Sequence, residues 1–219
     1  MGTKLNYRYD LPTGIDWGSV TEICGCAMKW GLVYFYGKWG IKKAKGIANE
    51  ASGIGKALHS YVNQIFQGNK KITLDADLRK VGRAIKNFDR FAKEYKLEPI
   101  FVEQVVYSEK YGYVGTLDFF GLMGDELVLL DWKTSKAIYS DYNLQVQAYW
   151  TALEEMLEKG LLQLPDDVKD LPVKLKIVRF DKENIFNPKK DIKTFKPNQK
   201  TKGAFLGLLE YYNWNKNNK

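Results

Sequence analysis

Hydrophobic positions along this chain recur at two periods, and the change of period separates helical from extended stretches. From Ala48 to Phe66, Ile54, Leu58, Tyr61, Val62 and Ile65 return at three- and four-residue steps, which places them on one face of a helix. A longer stripe of Leu78, Val81, Ile85, Phe88, Ala92 and Tyr95 follows Asp75 and Asp77, either of which can cap a helix. Upstream, Ser19 or Thr21 is placed to cap a helix running through Ile23, Ala27 and Trp30. Pro99 ends the helical region, and IFVEQVVYS after it reads as a strand. Beyond residue 133 the polar TSKAIYSD is a loop, Tyr142 to Leu157 has the length and composition of a helix ending near Gly160, and LPDDVKDLP is a proline-bounded connection. VKLKIVRF returns to period two and is expected to add a strand to the sheet. The lysine-rich NPKKDIKTFKPNQKTK reads as a loop with one short strand, and Ala204 to Trp214 as a terminal helix. The opening MGTKLNYRYDLPTG is loop-like and lacks the apolar core of a secretory signal.

The most densely apolar stretch is YVGTLDFFGLMGDELVLLDWK, from Tyr113 to Lys133. It reads as two strands joined by a two-residue turn at Gly124-Asp125, which suits the hairpin preference for glycine in the first central position. Partners across that turn have residue numbers summing to 249, so Asp118 falls opposite Asp131, and Lys133 lies two residues on, on the same face. Thr116, Phe120, Leu122, Leu127 and Leu129 complete this face. Leu117, Phe119, Met123, Val128, Leu130 and Trp132 form the other, so both sides are expected to be buried. Carboxylates facing each other with Cβ atoms about 4.5–5.5 Å apart repel, and burial raises the cost of their charge. A divalent cation with oxygen ligands, helped by the Lys133 ammonium, compensates both effects. Each residue alone would mark only a strand end or a polar interruption; the shared register makes them a candidate site.

Composition narrows the partner without naming it. The chain of 219 residues has a formal net charge of +8 and a pI near 9.2, with lysines grouped at Lys42, Lys43 and Lys45, at Lys70 and Lys71, and from Lys189 to Lys202. That balance favours a polyanion. A hydrophobic content of 45% with 14% aromatics belongs to a globular chain. Cys24 and Cys26 are the only cysteines, which excludes a disulfide framework and a four-cysteine zinc or iron-sulfur site, and reduced thiols in a cytosolic setting are the default. No run approaches the length of a membrane span. The aromatic group Trp30, Tyr34, Phe35, Tyr36 and Trp39 has the chemistry to stack bases, but packing against a core or a neighbouring helix is the expectation for such a cluster.

The order helix, strand, strand, strand, helix, strand, with Asp118 on the second strand and Asp131-Trp132-Lys133 on the third, resembles the PD-(D/E)XK nuclease superfamily. The closer likeness is to its RecB-like exonuclease branch, which includes the mitochondrial genome maintenance exonuclease and many phage relatives. The likeness runs from about Ser19 to Phe180. Its specific parts are Gly55 to His59, Glu103, Gly115-Thr116-Leu117-Asp118, Asp131 to Thr134 and Gln145 to Tyr149. Leu117 stands where the family name has proline. The cysteines that some relatives use for an iron-sulfur cluster are missing, so the resemblance implies no such cluster. It implies an α/β single domain over 1–219 with a central mixed β-sheet flanked by helices, an αβββαβ restriction-endonuclease-like core. Within it a helical N-terminal part covers 19–97, the catalytic sheet and helix 100–180, and a basic C-terminal extension 181–219.

Phosphodiester hydrolysis needs a nucleophilic water, neutralised phosphate charge and help for the leaving alkoxide. Asp118 and Asp131 are hard oxygen ligands suited to Mg²⁺ or Mn²⁺, and the resemblance adds the backbone carbonyl of Trp132. Lys133 would orient or deprotonate the attacking water and stabilise the developing negative charge, a role in which a desolvated lysine beside a metal has a lowered pKa. Gln145 and Tyr149 share a helix face and could steady Lys133 or a substrate phosphate; without the resemblance they are two polar edge residues. Glu103, in an apolar strand, is either a further acidic group near the metal or a buried partner for a base. Thr134 and Ser135 have the hydroxyls to bind phosphate, but a solvated turn is the expectation. His59, the only histidine, either fills a helix face beside Val62 and Phe66 or, as the Gly55-to-His59 spacing implies by resemblance, ligates the metal. As a ligand it would weaken metal affinity below its unperturbed pKa of about 6.5. The expectation is an intracellular, cytoplasmic, bacterial or phage-encoded DNA exonuclease, dependent on Mg²⁺ or Mn²⁺ and leaving 5′-phosphates, in recombination, repair or DNA processing. Its DNA partner would be single-stranded or carry free ends. A structure-dependent endonuclease on the same fold and a non-catalytic DNA-binding module are the alternatives.

Overall fold

The computed structural model describes residues 11–27 and 29–218; most of the opening read as loop-like lies outside them. In chain order the elements are β1 (Gly18–Ser19), α1 (Val20–Gly25), α2 (Trp30–Trp39), α3 (Ile41–Phe66), α4 (Leu78–Glu94), β2 (Leu97–Ser108), β3 (Tyr113–Met123), β4 (Glu126–Lys133), α5 (Tyr142–Glu158), β5 (Lys174–Arg179), α6 (Pro188–Asp191), β6 (Ile192–Phe195) and α7 (Gln199–Asn217). The fold is α/β, with a central mixed sheet between helices.

The hairpin of β3 and β4 forms in the register its turn dictates, with Met123 opposite Glu126 and Phe119 opposite Leu130. Gly124 takes φ +61°, the left-handed conformation that glycine adopts without steric cost. β5 runs parallel to β4, pairing Val128 with Lys174 through to Lys133 with Arg179, and β6 closes that side antiparallel. On the other edge β2 pairs along β3 from Leu97 opposite Met123 to Ser108 opposite Tyr113.

One face of the sheet carries Phe120, Leu127, Leu129, Leu175 and Ile177 against Val146, Tyr149 and Leu153 of α5 and Phe205 of α7. The opposite face carries Phe119, Val128, Leu130, Trp132 and Val178 against Leu58 and Val62 of α3 and Phe88 and Phe91 of α4. The two faces account for the unbroken apolar runs of β3 and β4.

Several sequence-based expectations are corrected. Leu117 joins the cluster that contains Phe120 and not that of Phe119, so strict alternation breaks around Asp118. β2 is irregular at the same level, where Glu103 has φ +49°. Pro99 does not end a helix: α4 stops at Glu94, and Pro99 sits inside β2 where the register slips by one residue. A proline has no amide to donate, and a bulge is where a strand tolerates that. The single helix expected through Ile23, Ala27 and Trp30 is two, α1 and α2. The aromatic group on α2 stays outside the core: none of the residues of that helix is buried, Phe35 and Tyr36 are half-buried, and the helix packs chiefly against its neighbour α3. The segment beyond 181 is woven into the fold, supplying β6 to the sheet and Phe205 and Leu209 of α7 to the core.

Candidate active site

The site sits at an interruption in the sheet. β2 occupies one edge of β3 along its length, and β4 occupies the other edge only as far as Phe119. At the start of β3 that second edge is taken by β1, which pairs in parallel, Gly18 with Tyr113 and Ser19 with Val114. Residues 115–118 therefore have no ladder partner on that side. Asp118, next in register beyond Phe119, uses its side chain there: Oδ2 accepts the amide of Trp132 at 2.7 Å. A cleft of about 670 Å³ opens at this gap, lined among others by Gly115, Thr116, Asp118, Asp131, Lys133 and Tyr149.

α3 brings His59 to the cleft, where Nδ1 lies 3.1 Å from Oε1 of Glu103 and 3.4 Å from Oδ1 of Asp118. One donor atom from each of these three residues falls within 4.8 Å of the others. Asp131 is 1% exposed; its Oδ2 lies 2.5 Å from the Lys133 ammonium, and its Oδ1 has no hydrogen-bond donor among the described residues. Lys133 also donates to Gln145 Oε1 at 3.1 Å, and Gln145 Nε2 donates to the Tyr149 hydroxyl at 2.7 Å. The Tyr142 ring lies under the same ammonium, 4.9 Å from its centroid.

Charge within the cleft is strongly coupled. Burial raises the Asp118 carboxyl against the opposing pull of His59 and Lys133. Burial likewise pushes Asp131 up to about 6, with Lys133 opposing and Asp118 reinforcing. Burial works to lower His59, but the charge of Asp118 and the hydrogen bond to Glu103 outweigh it and lift the imidazole to about 9. Lys133 follows the same logic: desolvation lowers it, Asp131 and Asp118 raise it more, and the net shift is upward. The protein groups alone thus hold Lys133 high; the lowering expected from sequence is that of a lysine beside a metal, where a cation neutralises the two aspartates.

Donor chemistry fits a hard divalent ion. Asp131 Oδ1, buried without a donor among the described residues, and Asp118 as a second buried carboxylate share one ammonium, an arrangement whose cost a cation lowers. Asp118, Asp131, Lys133, Gln145, Tyr149, Trp132, His59 and Glu103, all singled out in the sequence, meet around this one cleft. Glu103, half-buried, pairs with His59 and faces the same space as Asp118. Sequence reasoning missed Tyr142, whose signal is its position one turn ahead of Gln145 on α5, and the rim residues Ser19, Val20 and Thr21. The rim was illegible because a two-residue parallel strand leaves no periodicity.

No family model and no curated protein matches the chain. Solved structures resemble it in the course of the backbone. LHK-Exo in complex with dAMP is 12% identical over 75% of this chain and 84% of that one, with a TM-score of 0.41. LHK-Exo, an alkaline exonuclease from Laribacter hongkongensis, in a second structure is 13% identical over 90% of both chains, with a TM-score of 0.39. A candidate exonuclease from Eubacterium rectale is 16% identical over 96% of this chain and 83% of that one, with a TM-score of 0.46.

Proposed function

We propose that this protein is a metal-dependent DNA exonuclease of the PD-(D/E)XK superfamily, on its RecB-like branch, hydrolysing phosphodiester bonds to leave 5′-phosphates. The observation that carries the reading is the pair Asp118 and Asp131, buried at a gap in the sheet with the Lys133 ammonium beside them. Asp118, Asp131, His59 and the Trp132 carbonyl would hold Mg²⁺ or Mn²⁺, with Glu103 as a further ligand or as the group that orients His59. Such an ion supplies charge neutralisation at the phosphate and lowers the pKa of attacking water.

The remaining work falls to side chains. Lys133, held by Gln145 and faced by the Tyr142 ring, is positioned to orient the water and to offset charge that develops on the phosphate. Tyr149 fixes Gln145, and its own hydroxyl stays protonated because burial raises it well above its usual range. The scissile phosphate would enter from the open edge of β3 at residues 115–118. A net charge of +8 suits DNA, and recombination, repair or DNA processing inside a bacterial or phage-infected cell is the setting in which such an activity serves. Among the described residues no helix is long and apolar enough to cross a membrane.

The deciding experiment digests end-labelled single- and double-stranded DNA with Mg²⁺, Mn²⁺ or EDTA, beside closed circular DNA. Release of 5′-phosphorylated mononucleotides or short products from linear DNA only, abolished by EDTA, is expected. Cleavage of the closed circle would replace the exonuclease reading with the endonuclease one, and no cleavage in either metal would overturn both.

A further inference from the structure

α2 is an apolar helix that the fold leaves in water. Trp30, Leu32, Val33 and Tyr34 are 66%, 47%, 56% and 77% exposed, and Ile41 at the start of α3 is 68% exposed. A contiguous patch of this kind marks a surface that meets a partner.

Three observations say which. No Asp or Glu occurs between Glu22 and Glu50, whereas Lys29, Lys38, Lys42, Lys43 and Lys45 do, so the partner is anionic. The α2–α3 hairpin is also tied to the cleft at both ends. Lys29, just ahead of α2, pairs at 2.7 Å with Asp141, the neighbour of the cleft residue Tyr142, and α3 returns along Ser52, Gly55 and Lys56 to His59. The start of α2 is thereby held beside the cleft residue Tyr142. Finally, Trp30 and Tyr34 are four residues apart and share a helix face, offset by about 6 Å along the axis, close to the room one planar base needs between two rings. Duplex DNA hides its base faces in the stack, whereas a single strand presents them.

We propose that Trp30 and Tyr34 form a base-stacking platform for single-stranded DNA at the mouth of the cleft, with the lysines of the α2–α3 hairpin taking the flanking phosphates. This rests on the nuclease reading for the identity of the strand and extends it to a preference for single-stranded ends. Stacking also accounts for an aromatic cluster in a stretch without acids: every base has a π-face, so the platform grips a strand without reading its sequence.

The test is anisotropy titration of the full chain with a labelled single-stranded oligonucleotide, the matching abasic strand and the matching duplex, all in EDTA so that hydrolysis plays no part. Trp30→Ala and Tyr34→Ala are each expected to weaken single-strand binding about 10-fold, with Trp30→Phe retaining most of the affinity. Neither variant should change affinity for the abasic strand or the duplex. Equal single-strand affinity of wild type and both alanine variants would overturn the platform. So would loss confined to phosphatidylserine vesicles, or a concentration-dependent dimer of the wild type that Trp30→Ala dissolves. Unchanged circular dichroism melting, expected for substitutions at exposed positions, separates lost binding from lost fold. Because no cleavage is read, failure of the platform leaves the nuclease assignment standing, and failure of cleavage in Mg²⁺ leaves the binding result intact.

Discussion

At the scale of single residues the cleft is a set of opposed demands, and substitutions that relieve one demand expose another. Asp131→Asn keeps the shape of a 1% exposed side chain and removes the charge that holds a cation, so cleavage should vanish while the fold persists or gains stability, read by product release beside thermal melting. Lys133→Ala should lower the cleavage rate about 10²–10⁴-fold at saturating metal, the range for loss of a positioned proton-transfer group. Gln145→Ala removes the acceptor of Lys133 and the donor to Tyr149, and a loss of about 10–100-fold is expected, as for other groups that orient a reacting neighbour. His59 gives the pH dependence its sign. Its metal-free pKa near 9 means that the protonated form, paired with Glu103 and Asp118, stabilises the fold fully below about pH 6.5 and progressively less as pH rises through 9. A cation must displace that proton. Metal affinity, followed by calorimetry, should therefore fall as pH drops from about 9, well above the pH 6.5 expected from an unperturbed imidazole, and fall more steeply below about 6 where Asp131 also protonates. In His59→Ala the upper limb should disappear; if it persists, His59 is no ligand.

At the scale of elements, the sequence was most informative where structure is local. The turn at Gly124-Asp125 sets the register that predicts Asp118 level with Asp131, and the hairpin forms in that register as far as Phe119 opposite Leu130. Long-range neighbours were not legible in the same way: nothing in IFVEQVV says that Glu103 meets a histidine 44 residues earlier in the chain. For α2 the sequence left core packing and helix contact together, because aromatic density is the same signal for both; exposure shows that the helix contributes no buried residue to the core. Two element-level contacts hold the cleft in shape. A Cβ on Gly115 would fall 2.5 Å from the Tyr149 ring, so Gly115→Ala should push α5 back and disturb the Tyr149–Gln145–Lys133 chain. The expected result is reduced turnover with metal affinity little changed, measured by separate kinetic and calorimetric titrations. Beyond Lys133, Arg179 on β5 pairs with buried Asp191 at 2.5 Å and with Asp181 at 2.8 Å, and donates to the carbonyl of Lys136 at 2.8 Å, pinning the loop that follows β4. Asp191→Ala leaves Asp181 as the remaining carboxylate partner of Arg179 and should cost about 1–3 kcal/mol in denaturant unfolding.

For the molecule as a whole, charge and topology act together. With a net charge of +8, DNA affinity in EDTA should fall steeply with added salt, by about 10³-fold between 50 and 200 mM if roughly six phosphates are engaged. The mixed sheet and its helical layers were legible because each long element repeats its own period, whereas β1, two residues long, was not. Yet that strand governs the site. It runs parallel to β3, and its next two residues, Val20 and Thr21, would pair with Gly115 and Thr116 and zip the open edge shut. They do not, because Ser19 ends the strand by capping α1, its hydroxyl oxygen accepting the amide of Glu22. The aperture of the cleft is thus metered by a helix cap: one serine decides where pairing stops, and the candidate site occupies the space that a longer strand would have filled.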